Sequence, residues 1–212
     1  MINNKEIYIK YSELSSEERV FYYDLICRYV GKFSWEYPGF FQWYSSLFLD
    51  NYQLMNDREI IVCEKDFSIV GLAILKSNAV EKKICTLRVD NRFRGQGIGK
   101  KLIGLSLEWL EYDTPIITMH KTKQYQFSKL LDFYGFKLEQ KQPHYYRLFN
   151  IEYVYNGILP DKKIVLNQLK VANLQGLCKS FIDTGRDSFE AYLGDYIRTK
   201  FDNRRSEERR VG

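Results

Sequence analysis

The sequence predicts an α/β or α+β fold, a sheet with helices packed on its faces, and three observations carry that expectation. Apolar residues make up 45% of the 212 and charged residues 28%, a globular balance in a chain long enough for one real core, read as one domain with an appendage. Strand-period and helix-period runs follow one another in the order β-α-α-β-β-β-α-β-α-β-β. Between the fourth strand and the third helix the period changes across a glycine-rich turn at residues 94–99.

The elements follow in order. Ile7-Tyr8-Ile9 reads as the first strand. Ser15 and Glu18 have the S-x-x-E spacing of a capping box, and Val20, Tyr23, Ile26 and Val30 lie on the helical apolar face that ends at Gly31. Residues 33–48 crowd Phe33, Trp35, Tyr37, Phe40, Phe41, Trp43, Tyr44 and Phe48 around Pro38-Gly39. They read as a loop and a short helix from Gly39, the rings either lining a substrate pocket or forming a minor core. Residues 59–63, 69–75 and 83–89 are strand-like, with Glu64-Lys65-Asp66 as a hairpin connection. In the last run, Ile84, Thr86 and Arg88 are expected on one face and Cys85, Leu87 and Val89 on the other. Residues 100–111 read as a helix with a stripe of Ile98, Leu102, Leu105 and Trp109. Gly104 inside it costs roughly 1 kcal/mol against Ala, which points to close packing there. Residues 115–119 form a short strand and 126–134 a helix stopped by Gly135. Residues 136–140 and 145–155 form a closing pair of strands joined through Pro143.

The formal net charge of +5 suits an anionic ligand and allows nucleic acid without indicating it, since no run of like charge is long enough for a nucleic-acid arm. Cys27, Cys63, Cys85 and Cys178 form no C-x-x-C pair and read as buried thiols of a reducing compartment. His120 and His144 are the only imidazoles, so no metal site is expected. There is no apolar signal core and no run near the ~20 apolar residues of a membrane span, so the expectation is a soluble cytoplasmic protein away from membranes.

The chemistry lies in the glycine turn. The first N–H groups of a helix have no internal acceptor, and the macrodipole is positive there. A pyrophosphate can collect several of those amides, and glycine lets it come close. Arg92, Arg94, Lys100 and Lys101 add positive charge. The spacing is not that of a P-loop: Arg94 stands where the first glycine belongs, and Lys101 where Ser or Thr is needed. Gly95, Gly97 and Gly99 run G-x-G-x-G, not the G-x-G-x-x-G of a dinucleotide fingerprint. What fits is R-x-x-G-x-G, from Arg94 through Gly97 to Gly99.

That motif resembles the pyrophosphate loop of the GNAT acyl-CoA N-acyltransferases. The strand at 86–90 before it and the Phe133-Tyr134-Gly135-Phe136 junction after it resemble the family's central strand and its helix-to-strand Gly-Phe junction. The resemblance covers residues 5–157 and implies a GNAT fold, a central mixed, mostly antiparallel sheet flanked by helices. It implies acetyl-CoA as co-substrate, lying in a splay between strands 84–89 and 115–119. The pantetheine would pair with backbone near Leu87 and Val89, and the pyrophosphate would rest on Arg94, Gly95, Gln96, Gly97, Ile98, Gly99 and Lys100. An amine would attack the thioester directly. The family's acid is a Tyr four residues before the junction glycine, a place held here by Leu131, and its Asn falls at Gln124. Tyr134, on nearly the same helical face as Leu131, is the nominated acid. Glu59, Glu64, Asp90 and His120 are candidate bases.

Residues 158–204 read as a small helical extension, truncated and needing a partner surface, with a homodimer as one way to supply it. Residues 205–212 equal the translation of a short-read sequencing adapter in one frame and read as foreign to the natural chain. The leading function is acetyl transfer to a primary amine of a small molecule or peptide. The alternatives are acylation of a macromolecular amine (protein or aminoacyl-tRNA) and a non-catalytic CoA-binding module.

Overall fold

A computed structural model describes residues 5–32, 37, 39–143, 145–146 and 151–159. The chain divides into two compact units, residues 1–142 with 151–159, and residues 143–150 with 160–212. The extension at 158–204 falls outside the described residues apart from Ile158 and Leu159, as does all of 205–212.

The first unit is built on β1 (Ile7–Lys10), β2 (Arg58–Lys65), β3 (Ser68–Ser77), β4 (Lys82–Val89), β5 (Ile116–His120), β6 (Leu138–Pro143) and β7 (Ile151–Tyr155). Helices α1 (Ser16–Gly31), α2 (Phe40–Ser45), α3 (Ile98–Leu110) and α4 (Gln124–Phe133) complete it, in the order the sequence predicts. The strands lie in the order β1-β2-β3-β4-β5-β7-β6. The β1–β2, β2–β3, β3–β4 and β5–β7 pairs are antiparallel, and β4–β5 is parallel. A mixed, mostly antiparallel sheet is therefore confirmed.

Two cores sit against the sheet. One packs Ile61, Cys63, Leu75, Ile84 and Leu87 against Ile98, Leu102 and Leu131 of α3 and α4. The other packs Ile60, Val62, Leu72 and Ile74 against Ile26 and Val30 of α1 and Phe40 and Tyr44 of α2. The aromatic segment thus resolves largely as minor core. Phe40 and Tyr44 are buried, and Tyr23, Tyr44 and Phe48 meet at ring distances of 4.9–5.2 Å. Of its rings, Tyr37 lines a cavity, while Phe33 and Trp35 fall outside the described residues.

Several local expectations need correction. The β2–β3 turn is the two-residue Asp66–Phe67, both at positive φ, with Glu64 and Lys65 still in the ladder. In α3 the fully buried line is Ile98, Leu102, Ser106 and Leu110, with Leu105 and Trp109 only partly covered. A serine can sit on that line because its hydroxyl donates to the Leu102 carbonyl at 2.7 Å. The helix begins at Ile98 and α4 at Gln124, each two residues earlier than the apolar pattern suggests. β7 spans Ile151–Tyr155; of the rest of the expected 145–155 strand, Tyr145 and Tyr146 are not in it and residues 147–150 lie outside the described residues. Of the three described cysteines only Cys63 is fully buried; Cys27 and Cys85 are partly so.

The capping box of α1 forms as expected: Glu18 N–H donates to Ser15 Oγ at 3.3 Å and Ser15 N–H to Glu18 Oε2 at 2.8 Å. α4 closes on Gly135 at φ +69°, with Phe136 N–H bonding Leu131 O and Gly135 N–H bonding Asp132 O. Where α3 crosses the sheet, a Cβ on Gly71 would stand 3.0 Å from Ile98 Cγ2, 3.1 Å from Leu102 Cδ1 and 3.2 Å from the Arg88 carbonyl. Gly71→Ala is expected to lower unfolding free energy by about 1–2 kcal/mol, the overpacking cost outweighing the entropy gained by removing a glycine. Urea denaturation would show this as a lower midpoint at unchanged slope.

Candidate active site

The site is created by a strand that leaves its partner. β4 and β5 are paired only at Lys83↔Ile116 and Ile84↔Ile117. Beyond that point β4 continues to Val89 along β3, while β5 runs from Ile117 to His120 along β7. The facing edges of Cys85–Val89 and Thr118–His120 are thus splayed, which is where an extended ligand can add as a strand. A bulge starts the splay. In the β3–β4 register Ile74 faces Thr86 and Leu75 faces Ile84, leaving Cys85 as the extra residue. The bulge moves Ile84 onto the same face as Leu87 and Val89, against α3 and α4, and puts Cys85 toward the other core. Simple alternation cannot show this, and the expected grouping of Ile84 with Thr86 and Arg88 is corrected by it.

Two cavities meet along the splay, sharing Leu87 and Phe127. One is a narrow slot of about 60 Å³ between the strand ends, lined by Tyr37, Thr86, Arg88, Thr118, His120 and Lys123 among others. The other is a groove of about 260 Å³ that runs from Val89 past Arg94, Gly95, Gly97, Gly99 and Lys100 to α4.

The glycine turn has the geometry of an anion cradle. Gly97, at φ +92°, is the N-cap of α3 and supplies no side-chain cap, so the first-turn amides keep their donors for another acceptor. Gly95 is at φ +76°, and a Cβ at either glycine would meet nothing within 4 Å. The fold therefore needs these glycines for their backbone conformation, and the space beside them is open to a ligand. At Gly99 a Cβ would touch Leu130 Cδ2 at 3.4 Å and Val89 Cγ2 at 3.7 Å, so this glycine keeps the groove wide.

The remaining residues of the turn divide by role. Ile98 is 1% exposed, its side chain a core anchor, so only its backbone can serve a ligand. Gln96 faces away from the groove, accepting from Lys65 Nζ at 3.4 Å and donating to the Arg92 carbonyl at 3.2 Å. Arg94 Nε donates to the Val89 carbonyl at 3.3 Å, which leaves Leu87 as the expected pantetheine partner whose backbone this side chain does not engage. Lys100 Nζ stands 3.6 Å from the Phe133 ring centroid.

Tyr134 lines neither cavity. Its hydroxyl donates to the Lys100 carbonyl at 2.8 Å, tying the end of α4 to α3, and burial pushes its phenol up from the ordinary value. Gly104 makes room for this tie: a Cβ there would lie 3.2 Å from the Tyr134 hydroxyl. Leu131 is fully buried in the α3–α4 core. Gln124 stands beside the Tyr155 hydroxyl. Tyr134→Phe is expected to leave the turnover number within about threefold and to cost about 1 kcal/mol of stability, the worth of one tying hydrogen bond. A drop of a hundredfold would support the acid assignment.

Of the four candidate bases, three are occupied elsewhere. Glu59 is buried and accepts from Ser12 N–H at 3.2 Å, from the Ser12 hydroxyl, and from Ile60 N–H at 2.9 Å. Glu64 stands beside the Tyr22 hydroxyl and lines neither cavity. Asp90 caps the turn before the glycine loop, and the hydrogen bonds from Arg92 hold its carboxyl below the usual carboxylate range. His120 alone of the four lines the slot. Sequence reasoning missed Thr118 and Phe127. The available signal for Thr118 was the alternation of β5, in which Ile117 and Met119 enter the core and Thr118 and His120 face away.

A bulged strand parting from its parallel neighbour over a glycine-capped helix defines a class of protein. Residues 22–118 match the model of the acetyltransferase (GNAT) family, and the chain carries a GNAT acetyltransferase domain. The fold is similar to that of a GNAT-family protein from Desulfovibrio desulfuricans, with a TM-score of 0.54 at 12% identity over 71% of this chain and 97% of that one. It is similar also to the ribosomal-protein-S18-alanine N-acetyltransferase of Escherichia coli, with a TM-score of 0.51 at 12% identity over 76% and 100%. A GNAT family acetyltransferase from Elizabethkingia anophelis, solved with acetyl-CoA bound, gives a TM-score of 0.50 at 15% identity over 72% and 97%. No curated protein matches the sequence. No helix among the described residues is long and apolar enough to cross a membrane.

Proposed function

We propose that the protein transfers an acetyl group from acetyl-CoA to a primary amine of a small molecule or peptide, by direct attack of the amine on the thioester. The observation that carries this reading is the splay beyond Ile84 and Ile117, opening onto both the glycine-capped end of α3 and the slot. The pyrophosphate would take the amides of Gly95–Lys100, with Arg94 and Lys100 adding charge. The pantetheine would run along the β4 edge at Leu87, and the thioester would reach the slot. The groove fits an extended, anionic ligand on both counts: open glycines with uncapped amides at one end and an apolar run of Leu87, Val89, Phe127 and Leu130 along its length. The narrow slot holds the reacting carbon away from bulk water, and the polar side chains of Thr86, Arg88, Thr118 and His120 orient the acceptor.

The test is release of free CoA thiol from acetyl-CoA across four primary amines: an α-amino acid, a linear diamine, an amino sugar and a peptide with a free N-terminus. Thiol release above the hydrolytic background with at least one of them is expected. A second reading, a CoA-binding module without turnover, is favoured by the buried Leu131 at the family's acid position; acetyl-CoA binding with no thiol release from any amine would select it.

A further inference from the structure

We propose that His120 is a catalytic hydrogen-bond donor, addressing the slot through Nε2–H and steadying the negative charge that develops as the acyl–sulfur bond opens. This role rests on the acetyl-transfer reading above. His120 is the last residue of β5, three positions beyond the point where that strand leaves β4, and it lines the slot. There the chain turns into a short 3-10 segment, Lys121–Lys123, and the imidazole caps it. Thr122 N–H donates to His120 Nδ1 at 3.3 Å, and Thr122 Oγ1 lies 2.7 Å from the same nitrogen.

A backbone N–H can only donate, so Nδ1 must present its lone pair, and the threonine hydroxyl then donates to it as well. The backbone contact requires an unprotonated Nδ1, and the hydroxyl contact is compatible with it. The one proton of the neutral ring is therefore on Nε2. The lone pair that a general base would use is already spent on the turn, so abstracting a proton from the acceptor would cost the Thr122 N–H bond and force the hydroxyl to turn from donor to acceptor. His120, one of four candidate bases in the sequence, takes a donor role instead.

The surroundings agree with a donor. Arg88 and Lys123 share the slot with His120, together with the hydroxyl-bearing Thr86, Thr118 and Tyr37. Across the β5–β7 register His120 stands opposite Glu152, which is buried. Two cations and an N–H around the reacting carbon suit an anion forming there. On the α4 side, Leu131 offers no donor and the Tyr134 hydroxyl is bonded to Lys100 O. In the step itself, the neutral amine forms the C–N bond, the C–S bond breaks, and the electron pair leaves on sulfur. The proton lost by nitrogen ends on that sulfur, giving the amide and free CoA thiol, while His120 keeps its own proton throughout.

Two measurements test this. The chain has two histidines, so nitrogen-labelled imidazole spectra, with His144→Gln for assignment, read the tautomer of His120 directly. A neutral Nε2–H ring is expected; an Nδ1–H ring would overturn the proposal. In thiol release with acetyl-CoA and the amine that the wild type acetylates, His120→Ala is expected to lower kcat about 10²–10³-fold. His120→Gln places an amide NH2 near the Nε2 position and is expected to recover to within about tenfold of the wild type. Acetyl-CoA affinity, which depends on the groove, stays unchanged in both. His120→Gln as inactive as His120→Ala would mean that a lone pair is needed, and His120→Ala as active as the wild type would mean no role; either overturns the proposal. A wild type that releases no thiol with any of the four amines removes the transfer reading and this role with it, whatever the tautomer.

Discussion

Gly97→Glu is expected to abolish measurable acetyl-CoA binding while the protein stays folded. Gly97 lies at φ +92° with open space where a Cβ would be, so the substitution meets no steric block in the folded chain. The left-handed conformation costs a non-glycine residue about 1–2 kcal/mol, well inside the 5–15 kcal/mol that a domain of this kind commands. The ligand feels it differently. The glutamate sits at the N-cap of α3, beside the amides proposed to take the pyrophosphate. Two unit charges ~4 Å apart near a protein surface repel by about 4 kcal/mol, close to three orders of magnitude in affinity. Gly97→Ala shares the backbone cost and lacks the charge, so it should lose about 1–2 kcal/mol of stability and keep affinity within about tenfold. Calorimetric titration of acetyl-CoA into the three proteins, with a thermal melt of each, separates the two effects. Equal loss in Ala and Glu variants would place the cause in the loop's shape and not in its charge.

Leu131→Ala carries the largest expected cost to the fold. Leu131 is fully buried between α3 and α4, in the core that also holds Leu102 and Phe136, and its carbonyl receives the Phe136 N–H that closes α4. Truncating a buried leucine removes its transfer energy and leaves a cavity, about 2–5 kcal/mol together. The denaturation midpoint should fall accordingly, and the groove proposed for acetyl-CoA, whose α4 wall is Gln126 to Leu130, should loosen with it. A loss under 1 kcal/mol would mean that position 131 is not the core contact described above. Leu131→Tyr is not expected to rescue an acid function, because a larger side chain at a fully buried site forces its neighbours apart.

These two residues show which parts of the molecule were legible in sequence. The glycine turn was readable because backbone conformation at positive φ restricts residue type, and Gly95 and Gly97 carry that restriction openly. Element order was readable because strand-like and helix-like runs differ in period and are separated by turn residues. The β4 bulge was not: the run around Cys85 reads as unbroken alternation, and only the pairing with Ile74 and Leu75 shows that Cys85 is supernumerary. Helix α3 hid part of its buried line because Ser106 satisfies itself on Leu102 O and so occupies an apolar position as a polar residue. The acid and base were least legible, since their roles depend on what each side chain already bonds. Tyr134 is nominated by helical spacing and is tied to Lys100 O. His120 stood as one of four acidic or basic candidates, and only the geometry of the splay separates it from Glu59, Glu64 and Asp90.

The central claim is that acetyl-CoA lies along the β4 edge with its pyrophosphate on the α3 N-terminus. Backbone hydrogen exchange, measured with and without acetyl-CoA, reads this most directly. Slowed exchange at Gly95–Lys100 and at Leu87, with the amides of β1 and β2 unchanged, is the predicted result. Slowing that leaves the glycine turn untouched, or none at saturating acetyl-CoA, would contradict it.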